Sequence, residues 1–197
     1  MGAGVIPFAK HEQQVKFLFQ TVFSGRKTGY LIDFGGGFNE GETYQQTAVR
    51  ELIEETETMF FAKDCNDLNL AKKTPLRIAE QTLILTKLFD STLQKHPHWW
   101  CKREPGNKKT AKNWITFFIE FEYQDVRFIN QQWKMYGEDK MRFSKPRELH
   151  WIDADRLLYI YEHQPEKLWK RVRQLINVRD VICEIKQESV RSINSGQ

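Results

Sequence analysis

Between Asn39 and Glu57 the chain carries six acids, Glu40, Glu42, Glu51, Glu54, Glu55 and Glu57, against a single base, Arg50. That window holds −5 of charge in a chain whose net charge is +4, so the remainder carries +9. Concentrated carboxylates in an otherwise basic protein suit a hard divalent cation that serves an anionic substrate, because Mg2+ and Mn2+ prefer oxygen ligands. Residues 43–56 include no glycine or proline and place Tyr44, Ala48, Val49, Leu52 and Ile53 at helical spacing, which predicts an amphipathic helix. With roughly 100° per residue, Glu51, Glu54 and Glu55 then span an arc of about 100° along the border of that apolar stripe, where three carboxylates can converge on one point. Their repulsion costs roughly 0.2–0.5 kcal/mol per pair, and more on partial burial, so a cation should compensate; only Arg50 is nearby in sequence. Three glutamates on one helix are, taken alone, more often a solvated face answered by lysines elsewhere.

The pattern is wider than three glutamates. Gly35-Gly36-Gly37 precede the helix, and residues without Cβ allow a tight or left-handed backbone whose carbonyls and N–H groups can approach the acids. Gly36, five residues, Glu42, seven residues, Arg50-Glu51-Leu52, one residue and Glu54-Glu55 follow one another in that order. This run resembles the box of the Nudix hydrolase family, written G-x5-E-x7-R-E-U-x-E-E-x-G-U with U aliphatic. The box covers 23 positions, from Gly36 to Thr58. The residues Glu148 to Leu157 more weakly resemble the family's penultimate strand and turn. Four positions depart from the family pattern: Glu57 stands where the last glycine is usual, Thr58 where an aliphatic residue is, and Phe34 and Asn39 replace a proline and a glutamate.

The resemblance implies an α/β (α+β) fold, a Nudix-type α/β/α sandwich with a mixed β-sheet. It also implies a Mg2+-dependent pyrophosphohydrolase in which water attacks a phosphorus of a nucleoside diphosphate linked to a further group. Glu51, Glu54 and Glu55 would hold the metal, Mg2+ with Mn2+ as substitute, and Glu54 and Arg50 are the catalytic candidates. Arg50, flanked by acids, is assigned to orient them by bidentate bonding rather than to bind phosphate. Glu42 is expected either to support the ligands from behind or to serve as an auxiliary one. A further carboxylate from a later loop assists in many members, and Glu120, Glu122, Glu138, Asp139 and Glu148 are equal candidates here. The rival reading is a Nudix-fold nucleotide- or ligand-binding or regulatory module without turnover, motivated by Glu57 and the altered opening of the box. A third reading, an unrelated acidic-helix interaction protein, requires the spacing to be coincidence.

The elements that must position these residues follow from the rest of the pattern. The 197 residues, 40% hydrophobic and 28% charged, have the composition of a soluble globular protein. Without repeats or linkers, 1–197 is expected to be a single Nudix domain, with a basic insertion around 95–112 and a frayed tail over 186–197. Residues 4–8, 15–23 and 30–34 read as strands, the last ending in the glycines, and 58–62 as a strand leaving the helix. Residues 75–95 read as mostly helical, though Leu83-Ile84-Leu85 equally suits a buried strand, 114–123 as a strand, 124–147 as irregular, and 149–152 as a short strand. Asp153 is placed to cap a helix over 154–158, and 165–178 to form a surface helix with Leu168, Val172, Leu175 and Ile176 inward.

Other features narrow the class. Cys65, Cys101 and Cys183 are odd in number and widely spaced, so reduced thiols are expected rather than a disulfide framework. His96-x-His98 with Cys101 lacks a regularly spaced fourth zinc ligand. No apolar run approaches the roughly 18 residues of a membrane span and no secretory signal opens the chain, so a cytoplasmic protein without membrane contact is expected. The basic stretch 95–112 with Trp99 and Trp100 reads equally as a substrate lid or as a solvated loop anchored by its tryptophans. The expected partner is a small nucleotide or other diphosphate: a dinucleoside polyphosphate, ADP-ribose, a nucleotide sugar, a diphosphoinositol phosphate or a capped RNA end. Nucleic acid is not favoured, since a sequence pI near 8.9 falls short of a nucleic-acid-binding domain.

Overall fold

The computed structural model describes residues 1–62, 75–104, 113–136 and 147–194. Strand β1 (Gly2–His11) turns into the antiparallel β2 (Gln14–Val22) through Glu12 and Gln13, both left-handed with φ of 48° and 62°, the geometry whose twist suits a two-residue hairpin. The first half of β1 pairs antiparallel with β3 (Phe34–Gly37). β5 (Trp114–Glu120) lies parallel to β1, and the short β4 (Trp100–Lys102) lies beyond it. β6 (Arg147–Asp153) pairs with β2, giving a mixed six-stranded sheet in the order β4-β5-β1-β2-β6 with β3 beside β1.

Alternation along the strands divides the core in two. Val5, Leu18 and Phe117 face α1 (Tyr44–Glu55) and α2 (Pro75–Lys95), where they meet Leu52, Phe60 and Phe89. Ile6, Phe19 and Phe118 face the other way, toward α4 (Ala154–His163) and α6 (Val178–Asn194). The result is the expected α/β/α sandwich with a mixed sheet. A further helix, α3 (Arg127–Tyr136), packs beside β6, and α5 (Lys170–Arg173) is a single turn.

α1 is bounded by its own chemistry. Thr43 N donates to Gln46 Oε1 and Gln46 N to Thr43 Oγ1, a reciprocal capping box. At the other end Glu57 and Thr58 have φ of 54° and 62°, and Thr58 N reaches back to the Ile53 carbonyl. Glu57 thus adopts the left-handed conformation that a glycine takes without penalty, and the β-branched Thr58 does so beside it; each costs of order 1–2 kcal/mol. The strand expected over 58–62 is therefore a reversal, with Met59 and Phe60 buried in the core.

Several other expectations are corrected. The strand expected over 30–34 lies later, in the glycines themselves, and Leu31 and Ile32 make only isolated bridges. Gly35, Gly36 and Gly37 are extended rather than left-handed; a Cβ on Gly35 would collide with the Ala3 carbonyl, so close approach to β1 is the requirement. The expected irregular 124–147 includes α3, the polar 96–112 includes β4, and the short helix after β6 continues to His163. Asp153 stands at the N-cap of that helix as expected but makes no side-chain capping bond; its carboxylate takes Lys16 Nζ at 2.6 Å. In place of one helix over 165–178 there are a 3₁₀ turn at Pro165–Lys167, α5, and a break at the left-handed Asn177 before α6. Leu168, Val172 and Leu175 are buried as expected, whereas Ile176 is exposed. Of the tail expected to be frayed, residues 186–194 are helical and Ser189 is buried. Among the described residues no helix is long and apolar enough to cross a membrane.

Candidate functional site

Arg50 organises the acidic cluster. Its Nε donates to Glu42 Oε1 at 2.6 Å, Nη2 to Glu42 Oε2 at 3.0 Å and to the Gly37 carbonyl at 2.8 Å. Nη1 donates to Glu51 Oε1 at 2.8 Å and to Glu54 Oε2 at 3.2 Å. A guanidinium has five N–H donors, so this one has none left for a phosphate. Arg50 thereby ties the loop before α1, the end of β3 and two acids of α1 into one unit. Glu42 also accepts from Asn39 N and from Thr47 Oγ1. The Arg50 hydrogen bonds, with those two donors, hold the Glu42 carboxyl down to about 2, and Glu42, followed by Glu51 and Glu54, pushes the Arg50 pKa further up against its burial.

Glu51 and Glu54 lie on the outer border of α1. The Glu51 side chain is 14% exposed and that of Glu54 34%. Burial raises the Glu51 pKa above the usual carboxylate range, and the charges of Glu55 and Glu54 add to the effect against Arg50. A Cβ on Gly36 would fall on the Glu51 carboxylate, so the glycine leaves that carboxylate its present place. Beside the cluster, a groove of about 470 Å3 runs between α1 and α2, bordered by Glu40, Arg50, Glu54, Ile53, Ile78 and Thr82.

Glu55 goes elsewhere. It lies on the buried face of α1 with Ala48 and Leu52, where its Oε2 accepts from Gln20 Nε2 at 2.6 Å and from Gly35 N at 2.9 Å. Its Oε1 meets Arg147 Nη1 at 2.8 Å. Arg147 also donates to Gln20 Oε1. Burial alone would raise the Glu55 pKa, but the charges of Arg147 and Arg171, with the Arg147 hydrogen bond, lower it. The expectation that Glu51, Glu54 and Glu55 converge on one point is corrected: among the described residues no three acidic, histidine or cysteine side chains form a group that could hold a metal ion. The helical arc was right in angle, but Glu55 sits on its inner edge, within reach of β6.

Behind Glu55 a second ion pair closes the interior. Arg171 Nε donates to Asp33 Oδ1 at 2.5 Å and its Nη2 to the Asp33 carbonyl, which also accepts from Gln20 Nε2. The Arg171 guanidinium lies 4.4 Å from the Trp114 ring centroid. Lys27 is drawn into the same field, its pKa lowered first by burial and then by Arg171. Gln20, Asp33, Arg147 and Arg171 were not singled out from sequence; Arg171 stands there among Lys167, Lys170 and Arg173 as one of several bases. Gln20 left a trace, a polar residue inside the apolar run Val15 to Phe23.

Neither Glu120 nor Glu148, among the later carboxylates expected to assist, is bonded to Arg50. Glu120 pairs with Lys10 at 3.0 Å, and Glu148 stands 3.8 Å from Lys134 Nζ. Glu138, Asp139, Cys65 and residues 105–112 of the basic insertion lie outside the described residues. Trp99 is buried against Phe8 and stacked on His96, so it anchors its segment rather than lining a lid. His96 and His98 pair with Glu188 and Glu184 of α6. Burial pushes the Cys101 thiol up to about 12.

No family model matches the sequence, and no curated protein does. Solved structures are similar at low identity. A C. elegans Ap4A hydrolase in a binary complex is 10% identical, with a TM-score of 0.44 over 95% of this chain and 97% of that one. RenU, a Nudix hydrolase from M. smegmatis, is 14% identical, with a TM-score of 0.47 over 94% and 87%. The Nudix domain of Shewanella oneidensis NrtR complexed with ADP ribose is 13% identical, with a TM-score of 0.43 over 93% and 86%. The resemblance of this chain, in its box and among these structures, is to the Nudix hydrolases.

Proposed function

We propose that the chain is a Nudix-type hydrolase that cleaves a diphosphate linkage, with Glu51 and Glu54 as ligands of a divalent cation, Mg2+ or Mn2+. One observation carries this reading. Arg50 holds Glu42, Glu51 and Glu54 together, so three carboxylates face one guanidinium and the half-buried cluster is left with excess negative charge. Hard oxygen donors with uncompensated charge fit a hard divalent cation. When bound, such an ion polarises phosphoryl oxygens, lowers the pKa of a coordinated water and offsets charge on the departing phosphate. The chain's own part is to fix the donors. Arg50 sets the positions of Glu51 and Glu54 relative to the Gly37 carbonyl, and Gly36 leaves room for the Glu51 carboxylate. Glu54, the more exposed of the two, borders the groove toward α2 and is the group placed to accept a proton from an attacking water. The substrate class is a nucleoside diphosphate linked to a further group.

A second reading, a ligand-binding module without turnover, is favoured by the commitment of Glu55 to Arg147, which removes one of the three carboxylates the box resemblance assigns to metal. Release of phosphate or nucleotide from a panel of nucleoside diphosphate derivatives, with Mg2+ and then Mn2+, separates the two. Hydrolysis by the wild type that is lost in a folded Glu54→Gln variant supports the enzyme. Saturable ligand binding that ignores metal, with no turnover of any panel member, supports the module.

A further inference from the structure

We propose that Arg147 occupies, as an internal cation, the place at Glu55 that the box assigns to metal, so that this chain binds its divalent ion through Glu51 and Glu54 without Glu55. The inference rests on the reading of Glu51 and Glu54 as metal ligands and departs from the box only at Glu55.

An ionised carboxylate offers about four lone-pair sites. At Glu55 three are taken by fixed donors: Gln20 Nε2, the backbone N–H of Gly35 and Arg147 Nη1. None of these is a mobile surface group. Gln20 is 1% exposed and its amide also meets Asp33 and Arg147, while Arg147 is 9% exposed. A metal ion reaching Glu55 would have to displace a guanidinium that is itself buried, leaving that charge without its partner in a poorly solvated interior. Breaking such a pair is far costlier than exchanging a water at the surface. Glu51 and Glu54 present the opposite case. They share one nitrogen, Arg50 Nη1, and lie beside two further carboxylates, Glu42 and Glu55. The same helix thus separates a carboxylate already neutralised from inside from two that are not.

The arrangement gives Glu55 and Arg147 a different task. By accepting from Gly35 N, Glu55 fixes β3 at the point where the backbone runs on to the Gly37 carbonyl, which Arg50 holds from the other side. Glu55 and Arg147 are positioning residues for the site.

The test is Mn2+ binding to the full-length chain, followed by electron paramagnetic resonance of the free ion and by calorimetry, with no substrate present. Glu54→Gln and Glu51→Gln should each weaken binding by about tenfold or more, as loss of a ligand does. Glu55→Gln alone exposes Arg147 to the loss of its partner and can fail to fold, so the decisive variant is Glu55→Gln with Arg147→Met, which removes both charges and leaves the net charge of the site unchanged. Mn2+ affinity of this double variant within about threefold of wild type, a change worth under ~0.7 kcal/mol, supports the proposal. A loss comparable to that of Glu54→Gln overturns it and restores Glu55 as a ligand. No Mn2+ binding by the wild type overturns the reading of Glu51 and Glu54 as ligands, and this inference with it.

Discussion

Arg50 and Arg147 both serve carboxylates of α1, but they leave different remainders. Around Arg50 a single guanidinium faces Glu42, Glu51 and Glu54, all partly open to solvent, and anionic charge is left over. In the interior Arg147 meets Glu55 and Arg171 meets Asp33, one cation for one anion, with every carboxylate further bonded to Gln20, Gly35 or Thr116. The balanced cluster contributes to the fold. The unbalanced one costs stability and is chemically useful for that reason, since excess charge held in fixed positions is what a cation or a developing positive charge responds to. The two sit on adjacent faces of the same turn of helix.

The comparison breaks most visibly in the interior. Arg171→Met should destabilise the protein by about 3–5 kcal/mol, because fully buried Asp33 loses the guanidinium that pairs with it. Urea denaturation of Arg171→Met, Asp33→Asn and the double variant reads this directly. The double should recover most of the loss, and a double as unstable as the sum of the singles would mean that the pair acts through packing on Trp114 rather than through charge. Next in size is Arg50→Lys, which keeps a charge but cannot hold Glu42, Glu51, Glu54 and the Gly37 carbonyl together. Turnover of a diphosphate substrate should fall by about 100-fold, the usual penalty for misplacing reacting groups by an ångström, with little change in KM. A kcat unchanged by this substitution would deny Arg50 any organising role.

A smaller effect has the opposite sign. Glu51→Gln removes one of the crowded carboxylates, whose pKa burial and its neighbours hold above the ordinary value. The metal-free variant should be more stable than wild type by a few tenths of a kcal/mol at neutral pH, about the size of one like-charge pair on a helix. Urea midpoints at pH 7 check it, and a destabilised variant would place Glu51 with Glu55 among the structural acids.

Legibility in the sequence follows the same division. α1, its Thr43 cap, Arg50 and the acids around it are encoded within some twenty consecutive residues, where period and spacing are local quantities, and so the Arg50 cluster could be read directly. The interior network joins residues that are 138 apart in the case of Arg171 and Asp33, and 35 apart for Gln20 and Glu55. No periodicity links them, and Arg171 looks like one more base on a charged segment until the fold brings it against Trp114. The partner of Glu55 was hidden for that reason: its position on the helix could be read, but Arg147 comes from a strand nearly a hundred residues later. The break in the expected helix over 165–178 has a similar origin, since Leu168 is drawn into a bridge with Leu31.

The smallest expected effect distinguishes the two faces of β6, where Arg147 and His150 point to opposite sides. His150 Nε2 is 2.9 Å from Thr21 Oγ1, and burial lowers its pKa below the ordinary 6.5, against a weaker upward pull from Glu148. A folded-state value below the unfolded one means that both states are neutral above pH 6.5, where the full stability is present. As the pH falls from there, the unfolded chain takes up a proton that the folded His150 resists, so stability is lost until the folded-state value is passed. The difference in urea midpoint between wild type and His150→Gln should therefore be flat from pH 8 to about 6.5 and shift against the wild type below it. The ion pair of Glu55 and Arg147 makes no such contribution in that window, because the lowered carboxylate stays ionised throughout it. A pH-independent difference would place His150 in solvent in all but geometry, and would leave the Arg147 face as the only side of β6 on which burial governs charge.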